Sequence, residues 1–318
     1  MKPGRIANEL RTLLLRRSPE SGLIASLKDR LEKRRSYAIY TRIEGAVTAV
    51  ATEDAVEDET GNGDGMQLWN TPCGNLWAPP SERSTLVFCI GEQERGFYGV
   101  GNHGVQPGDI VLDCGANYGT FTRHALNLGA KLVVALEPGP DAARCLARTF
   151  AHHPGVLVEP VGVWDEDCTL TLSESPVTSS ANSFVLPVDK LTTDELATED
   201  ELPLKQTSGQ PATPVRTAVP IRTQVPVRTI DSLVESLGLP RIDFIKMDIE
   251  GAECKALAGA RRTLQTWKPR LALCTYHLPG DPQQIPALVR SIQPDYQMEY
   301  GFRRKVRDLI IPRVAHFW

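Results

Sequence analysis

The chain has 318 residues, of which 41% are apolar and 23% charged, and its net charge at neutral pH is −4. That is enough length and apolar content for one large α/β domain with a small extra piece, or for two small domains. An acidic balance gives no global basis for nucleic-acid binding, and no run approaches the ~18 apolar residues of a membrane-spanning helix.

The first apolar run, Leu13 to Leu15, is too short for the core of a signal peptide. Seven cysteines (73, 89, 114, 145, 168, 254 and 274) are scattered and odd in number, and none forms C-x-x-C. Neither a disulfide framework nor a structural zinc is expected, and the reading is of a reduced, cytoplasmic protein. Residues 1–40 hold ten Lys/Arg and four Asp/Glu, a local charge of +6 against −10 for the remainder. Ile6, Leu10, Leu13 and Leu14 follow helical spacing, as do Ile24, Leu27 and Leu31. These basic helices are expected to pack one face on the body, and their charge also suits peripheral contact with anionic lipid or an acidic carrier. Residues 53–65, acidic and glycine-rich, read as an exposed loop. "NLWAPP" (75–80) and "STLVFCI" (84–90) read as short strands. Residues 1–83 thus form an N-terminal accessory region and 84–318 the main domain.

From 108 to 277 apolar strands alternate with helices. "DIVLDCG" is a strand running into a turn, "TFTRHALNLG" a helix closed by glycine, and "KLVVALEP" a second strand. A helix at "PDAARCLARTFAHH" precedes a third strand at "VLVEPVGVW". "RIDFIKMDIEG" is a strand over Ile242–Asp248, "AECKALAGARRTLQTW" a helix, and "PRLALCTYH" one more strand. This pattern predicts βαβ units around a parallel sheet with both faces covered. One segment interrupts it. "PVRTAVPIRTQVPVRT" (214–229) repeats Val/Ile-Arg-Thr three times at a spacing of six, after a polar stretch with little periodicity. Three copies do not make a solenoid, and 189–225 is read as an insertion with only the last copy entering the body.

"VLDCGANYGTF" is the most informative stretch. Asp113 ends a strand, Gly115 and Gly119 flank a sharp turn, and a helix comes next. Ligands bind at this edge of such sheets, and glycines let the backbone approach them. The dinucleotide fingerprint G-x-G-x-x-G does not fit, because no third glycine opens the helix; a nicotinamide-dependent oxidoreductase is disfavoured for that reason. Glu137 ends the next strand, 22 residues after Gly115, where an acid can accept from both ribose hydroxyls. A nucleoside without a pyrophosphate suits this turn, which points to S-adenosylmethionine. Asp113 and the turn amides of Gly115, Ala116, Asn117 and Gly119 would hold its amino-acid end and Glu137 its ribose. Pro138, Val161, Gly162 and Val163 would wall its adenine.

The stretches "GDIVLDCGANYGTF", "VVALEP", "VPVRTIDSL", "DFIKMDIEGAE" and "YH", in this order, resemble the FkbM-type methyltransferases over about residues 90–280. That resemblance implies a Rossmann-like class I methyltransferase fold, a mostly parallel seven-stranded sheet with helices on both faces. It also implies an S-adenosylmethionine-dependent enzyme, most often an O-methyltransferase of sugars and secondary metabolites. The C-terminal "DYQMEYGFRRKVRDLIIPRVAHFW" would supply the closing antiparallel strands. The family carries an acid and an aromatic just before the first strand, parts open to Glu92, Glu94 and Tyr98.

"IKMDIEGAEC" (245–254) gathers Lys246, Asp248, Glu250 and Glu253. Alternation along a strand puts the first three on one face at the cleft mouth, with Asp248 also touching the cofactor. Lys246 can neutralise the acids, Asp248 can cap the next helix, and Glu253 suits that helix's first turn. Glu250 and His277 are the candidates to take a hydroxyl proton, His277 because a neutral imidazole suits a base. No dedicated metal motif is present; in a rival arrangement Asp248, Glu250 and His277 hold a divalent cation on the acceptor hydroxyl. The acids equally suit N-methylation of an amine or guanidine. A non-catalytic binding protein is the remaining reading. The expected partner is a small-molecule acceptor, and a homodimer is compatible with the sequence.

Overall fold

The computed structural model describes residues 22–51, 65–175, 178, 181–185, 221–306 and 309–318. The predicted helical stretch at Ile6–Leu14, the acidic loop at 53–64 and the insertion from 189 to 220 lie outside the described residues. Helix α1 (Gly22–Ala46) leads into a small antiparallel sheet of β1 (Thr48–Ala49), β2 (Gln67–Asn70) and β3 (Leu76–Ala78). "STLVFCI" is not a strand but part of helix α2 (Arg83–Glu94). Its β-branched and aromatic residues favour a strand locally. Leu86, Val87 and Ile90, however, fall on one helical face, and all three are buried against Ile43, Val47, Leu76 and Trp77. That cluster also takes in Tyr118, Ala142 and Cys145, so the N-terminal stretch shares a core with the main body of the chain.

The body runs β4 (Ile110–Cys114), α3 (Thr120–Asn127), β5 (Leu132–Leu136), α4 (Pro140–Phe150) and β6 (Val156–Glu159). The predicted third strand breaks after β6 at Pro160, which has no N–H to give a ladder. Its remainder is β7 (Gly162–Val163), which joins a separate sheet in the order β7-β9-β8, with β8 at Cys168–Glu174 and β9 at Ile221–Arg228. β9 begins at Ile221, so the second Ile-Arg-Thr copy belongs to the strand together with the third.

The chain continues through α5 (Ile230–Ser236), β10 (Phe244–Met247), α6 (Glu253–Ala258), α7 (Arg261–Trp267), β11 (Arg270–Cys274) and α8 (Asp281–Ile292). The helix predicted across 252–267 is divided at Gly259–Ala260. A Cβ on Gly259 would lie 2.2 Å from the Trp164 carbonyl oxygen, and the Asp231 carboxylate caps α7 by accepting from the Arg262 and Thr263 amides at 2.9 and 2.8 Å. The end of the chain forms β12 (Met298–Tyr300), β13 (Arg303–Val306), β14 (Leu309–Pro312) and β15 (Val314–Phe317).

The main sheet has seven strands in the order β6-β5-β4-β10-β11-β15-β12. β6, β5, β4, β10 and β11 pair in parallel; β15 runs antiparallel to both its neighbours, β11 and β12. All five residues of central β4 are buried. Ile110, Leu112 and Cys114 join a core with Leu233, Leu257, Leu264 and Val289 on one side. Val111 packs with Phe121, Ala125 and Phe244 on the other, as alternation along a doubly covered strand requires. The C-terminal ends of the parallel strands share one edge, and the connections crossing it line a cleft.

Candidate active site

β4 ends at Cys114 and reverses through Gly115–Gly119 into α3. Gly115 sits at φ +78°, and a Cβ there would fall 2.0 Å from the carbonyl oxygen of Asp248. Only glycine lets this turn lie against the end of β10. Lys246 fastens it: its ammonium donates to the Gly115 and Cys114 carbonyls at 2.6 and 3.3 Å and lies 3.2 Å from Asp113 Oδ1. Burial opposes the lysine's charge, but Asp113 and Asp248 hold it protonated above the ordinary lysine range. The other Asp113 oxygen accepts from Thr122 Oγ1 at 2.6 Å.

These bonds correct one expectation and bear out the neutralising role of Lys246. Asp113 is fully buried beneath α3 and spent on Lys246 and Thr122, so it does not face the cleft. Lys246 lines the cleft, but its ammonium serves the turn. Gly119 does not reach the cleft either; its Cβ position is filled by Phe150 and Leu146.

The cleft encloses about 850 Å³ of empty space, its open mouth included, within the range of small-molecule sites. It brings together Tyr98, Gly115, Ala116, Asn117, Glu137, Pro138, Val161, Gly162, Val163, Lys246, Asp248 and Glu250 from the sequence reading. Cys89, Gln93, Asn182 and Phe184 line it too and were missed. Cys89 and Gln93 stand four apart on α2, a helical pair hidden while that stretch reads as a strand. Asn182 and Phe184 precede the insertion, in a segment without periodicity. Neither Glu92 nor Glu94 lines the cleft: Glu92 lies 3.5 Å from Arg313, and Glu94 pairs with Arg42.

Glu137 is buried at the end of β5, and its two oxygens accept from the amides of Asn117 and Gly139, each at 2.8 Å. Burial pushes its carboxyl up to about 7, against the pull of those amides and of Lys246.

β10 ends at Met247, one residue earlier than predicted, and the acids sit in a tight turn. Glu250 has φ +53° and Gly251 φ +94°; Asn117, across the cleft, has φ +49°. Left-handed backbone at non-glycine residues is uncommon and gathers at functional sites. The Ser183 hydroxyl donates to the Glu250 carbonyl at 2.7 Å. Asp248 does not cap α6, which starts behind Ala252; its carboxylate accepts from the Tyr98 hydroxyl at 2.6 Å and the Tyr276 hydroxyl at 3.4 Å.

His277 comes after β11 and is almost completely enclosed by carboxylates. Nδ1 lies 2.9 Å from Glu253 Oε1, and Nε2 lies 3.3 Å from Asp248 Oδ1 and 3.4 Å from Glu250 Oε1. Burial works to discharge the ring, yet Glu250, Glu253 and Asp248 together hold its pKa well above the usual histidine range. The expected neutral base is therefore an imidazolium, and it stands behind the cleft wall rather than in it. Glu253 is completely buried and also accepts from the Ile249 amide at 3.1 Å, bracing the turn from within. Asp248 is held well below the ordinary carboxylate range by His277 and Lys246 despite its burial, whereas Glu250 is raised by burial and by its acidic neighbours. Asp248, Glu250 and His277 lie close enough to share a cation, as do Glu253, His277 and Asp281. An imidazolium offers no lone pair, so a cation at either cluster would have to displace the His277 proton.

The seven-stranded order with β15 reversed, and a cleft over the C-terminal ends of β4, β5 and β10, define a Rossmann-like class I methyltransferase fold. A family model described as the methyltransferase FkbM domain matches residues 113–303, and the chain belongs to that family. Hexuronic acid methyltransferase AglP of Haloferax volcanii is 25% identical over 183 residues, which cover 57% of this chain and 61% of that protein. Methyltransferase 1 of Beauveria bassiana is 28% identical over 153 residues, 47% of this chain and 57% of that protein. The match thus spans less than two thirds of either relative's length. An FkbM methyltransferase crystal structure from Methylobacillus flagellatus superposes with a TM-score of 0.44 at 20% identity, over 76% of this chain and 56% of that one. Among the described residues no helix is long and apolar enough to cross a membrane.

Proposed function

We propose that this protein is an S-adenosylmethionine-dependent O-methyltransferase acting on a hydroxyl of a sugar or other small metabolite. One observation carries the reading: the buried Glu137 carboxylate, held by the Asn117 and Gly139 amides, faces the cleft one strand away from the Gly115 turn. Each oxygen keeps a lone pair for a ribose hydroxyl, and Pro138, Val161 and Val163 offer an apolar wall for a base. These residues fit a nucleoside. Bound there, the cofactor supplies an electrophilic methyl group on a sulfonium.

The chain's own residues then have to position the acceptor and receive its proton. Tyr98, kept protonated by burial and by Asp248, fixes the Asp248 carboxylate. Glu250, raised by burial and exposed to the cleft, is better suited than His277 to take a hydroxyl proton, a role worth about 10²–10⁴ in rate. Alignment of the acceptor lone pair can supply on the order of 7 kcal/mol or more. The name of the Haloferax relative supports a sugar acceptor. The carboxylates of Asp248 and Glu250 would equally hold a cationic amine, which keeps N-methylation as the second reading.

Calorimetric titration with S-adenosylmethionine and S-adenosylhomocysteine, with NADH as control, tests the proposal. Micromolar binding of the first two alone supports it; binding of NADH alone, or of none, overturns it.

A further inference from the structure

The short segment 181–185 lies along one half of the cleft. Asn182 and Phe184 both line the cleft, and their neighbours fix where. A Cβ on Gly139 would stand 2.9 Å from Glu137 Oε1 and 3.2 Å from Asn182 Nδ2. A Cβ on Gly162 would stand 2.8 Å from the Phe184 ring, which also meets Trp164 edge-on with 6.0 Å between centroids. Asn182 is therefore the neighbour of Glu137, and Phe184 belongs to the wall at Gly162. Between them the Ser183 backbone, paired with Ser173 of β8 by two 3.0 Å hydrogen bonds, holds the segment in place.

The Asn182 carboxamide has a defined orientation. Its Oδ1 accepts from the Ser175 amide at 2.8 Å. A backbone N–H can only donate, so oxygen and nitrogen cannot be exchanged. Nδ2 is left with two N–H bonds to give, and among the described residues no group accepts from them. Glu137 does not, because its oxygens take the Asn117 and Gly139 amides. Asn182 is half-buried, and its Nδ2 is not sealed from the surface.

A donor and an acceptor thus stand side by side, and they suit the two sides of one hydroxyl group, which gives one proton and accepts on its oxygen. Two groups bonded to the same hydroxyl at about 2.8 Å each stand about 4.5–5 Å apart. Glu137 Oε1 and Asn182 Nδ2, both beside the Gly139 Cβ position, are no farther apart than about 6 Å. We propose that Asn182 Nδ2 donates to the oxygen of a ribose hydroxyl whose proton goes to Glu137. The assignment rests on the S-adenosylmethionine reading above and adds a residue to its ribose site.

The test uses S-adenosylhomocysteine and its 2′-deoxy and 3′-deoxy analogues. Each is titrated calorimetrically into the full chain and into Asn182→Leu and Asn182→Asp at pH 8, on the ionised side of Glu137. Loss of one neutral hydrogen bond is expected to weaken S-adenosylhomocysteine about 3–10-fold in Asn182→Leu. One deoxy analogue lacks the contacted hydroxyl, and its affinity should stay within about twofold of its wild-type value; the other should weaken as the parent does. Asn182→Asp keeps the acceptor for Ser175 but puts a second carboxylate beside Glu137. It should weaken S-adenosylhomocysteine about tenfold or more, and by more than it weakens one of the deoxy analogues; this variant decides the matter if the leucine variant does not fold. Equal weakening of all three ligands, or unchanged S-adenosylhomocysteine binding in either variant, overturns the assignment. Wild-type protein that does not bind S-adenosylhomocysteine overturns the methyltransferase reading itself, a result distinct from any of these.

Discussion

The Ser183 hydroxyl donates to the carbonyl of Glu250 at 2.7 Å, joining the segment before the insertion to the acidic turn at the end of β10. Ser183 is 1% exposed, its backbone exchanges two 3.0 Å hydrogen bonds with Ser173 of β8, and its oxygen also accepts from the Val185 amide. It thus secures a left-handed residue whose side chain faces the cleft. Ser183→Ala leaves a carbonyl and an amide without their partner and should cost about 1–3 kcal/mol, read as a lower urea midpoint. Hydrogen exchange should quicken at Gly251, while S-adenosylhomocysteine affinity stays put. Unaltered exchange there would show that Ser183 does not hold the turn.

Glu137 makes cofactor binding pH-dependent. Burial raises its carboxyl to about 7, so near neutrality the free protein holds it partly protonated. Hydroxyl donors favour the ionised form, and binding therefore releases a proton. Affinity for S-adenosylhomocysteine should fall as pH drops through 7, by up to about tenfold per pH unit. Glu137→Gln should bind about 10-fold or more weakly at pH 8 and lose this dependence. A wild-type affinity flat from pH 8 to 6 would remove Glu137 from the ribose.

The Lys246–Asp113 pair predicts a stability effect larger than most. Their side chains are 5% and 0% exposed. Lys246→Met strips Asp113 of its countercharge and two turn carbonyls of their donor, and breaking a buried pair from one side costs about 3–5 kcal/mol. Chemical denaturation measures it, and Lys246→Met,Asp113→Leu should recover part of the loss. A single variant within about 0.5 kcal/mol of wild type would mean the pair is not formed.

That pair also shows where a sequence stops being readable. Glycines at 115 and 119 and an acid ending the next strand mark a ligand turn by local rules alone, and the cleft holds Gly115 and Glu137 as expected. The pairing of Lys246 with Asp113 is a register fact: the two residues stand directly opposite on neighbouring strands separated by more than a hundred residues. No local pattern gives it, so Asp113 reads as a ligand contact. His277 fails in the same way. Its strand-end position is legible, but its charge depends on three acids meeting around it, one of them brought by α6. The strand read into "STLVFCI" came from composition, whereas the spacing of Leu86, Val87 and Ile90 already described a helical face.

The protonation of His277 has a sign that stability can read. Its folded pKa is raised well above the usual value, chiefly by Glu250 and Glu253 acting against burial. A histidine raised in the folded state contributes stability fully below its unfolded pKa, near 6.5. That contribution declines as pH rises from there and is lost once the folded pKa is passed. The urea midpoint of the wild type should therefore fall on the alkaline side, at up to about 1.4 kcal/mol per pH unit for this one group. His277→Gln keeps hydrogen bonding without the titrating charge. It should be less stable near pH 6, where three neighbouring acids, Glu253 among them fully buried, lose their cation, and should show a flatter alkaline limb. An imidazolium that persists through neutrality cannot take a proton from an acceptor hydroxyl. At saturating S-adenosylmethionine, where the Glu137 effect on binding no longer shows, methyl transfer should accordingly have no acid limb near pH 6.5 set by His277, and Glu250→Gln should lower it by about 10²-fold or more with cofactor affinity kept. An acid limb at 6.5 that disappears in His277→Gln would restore the histidine as the base.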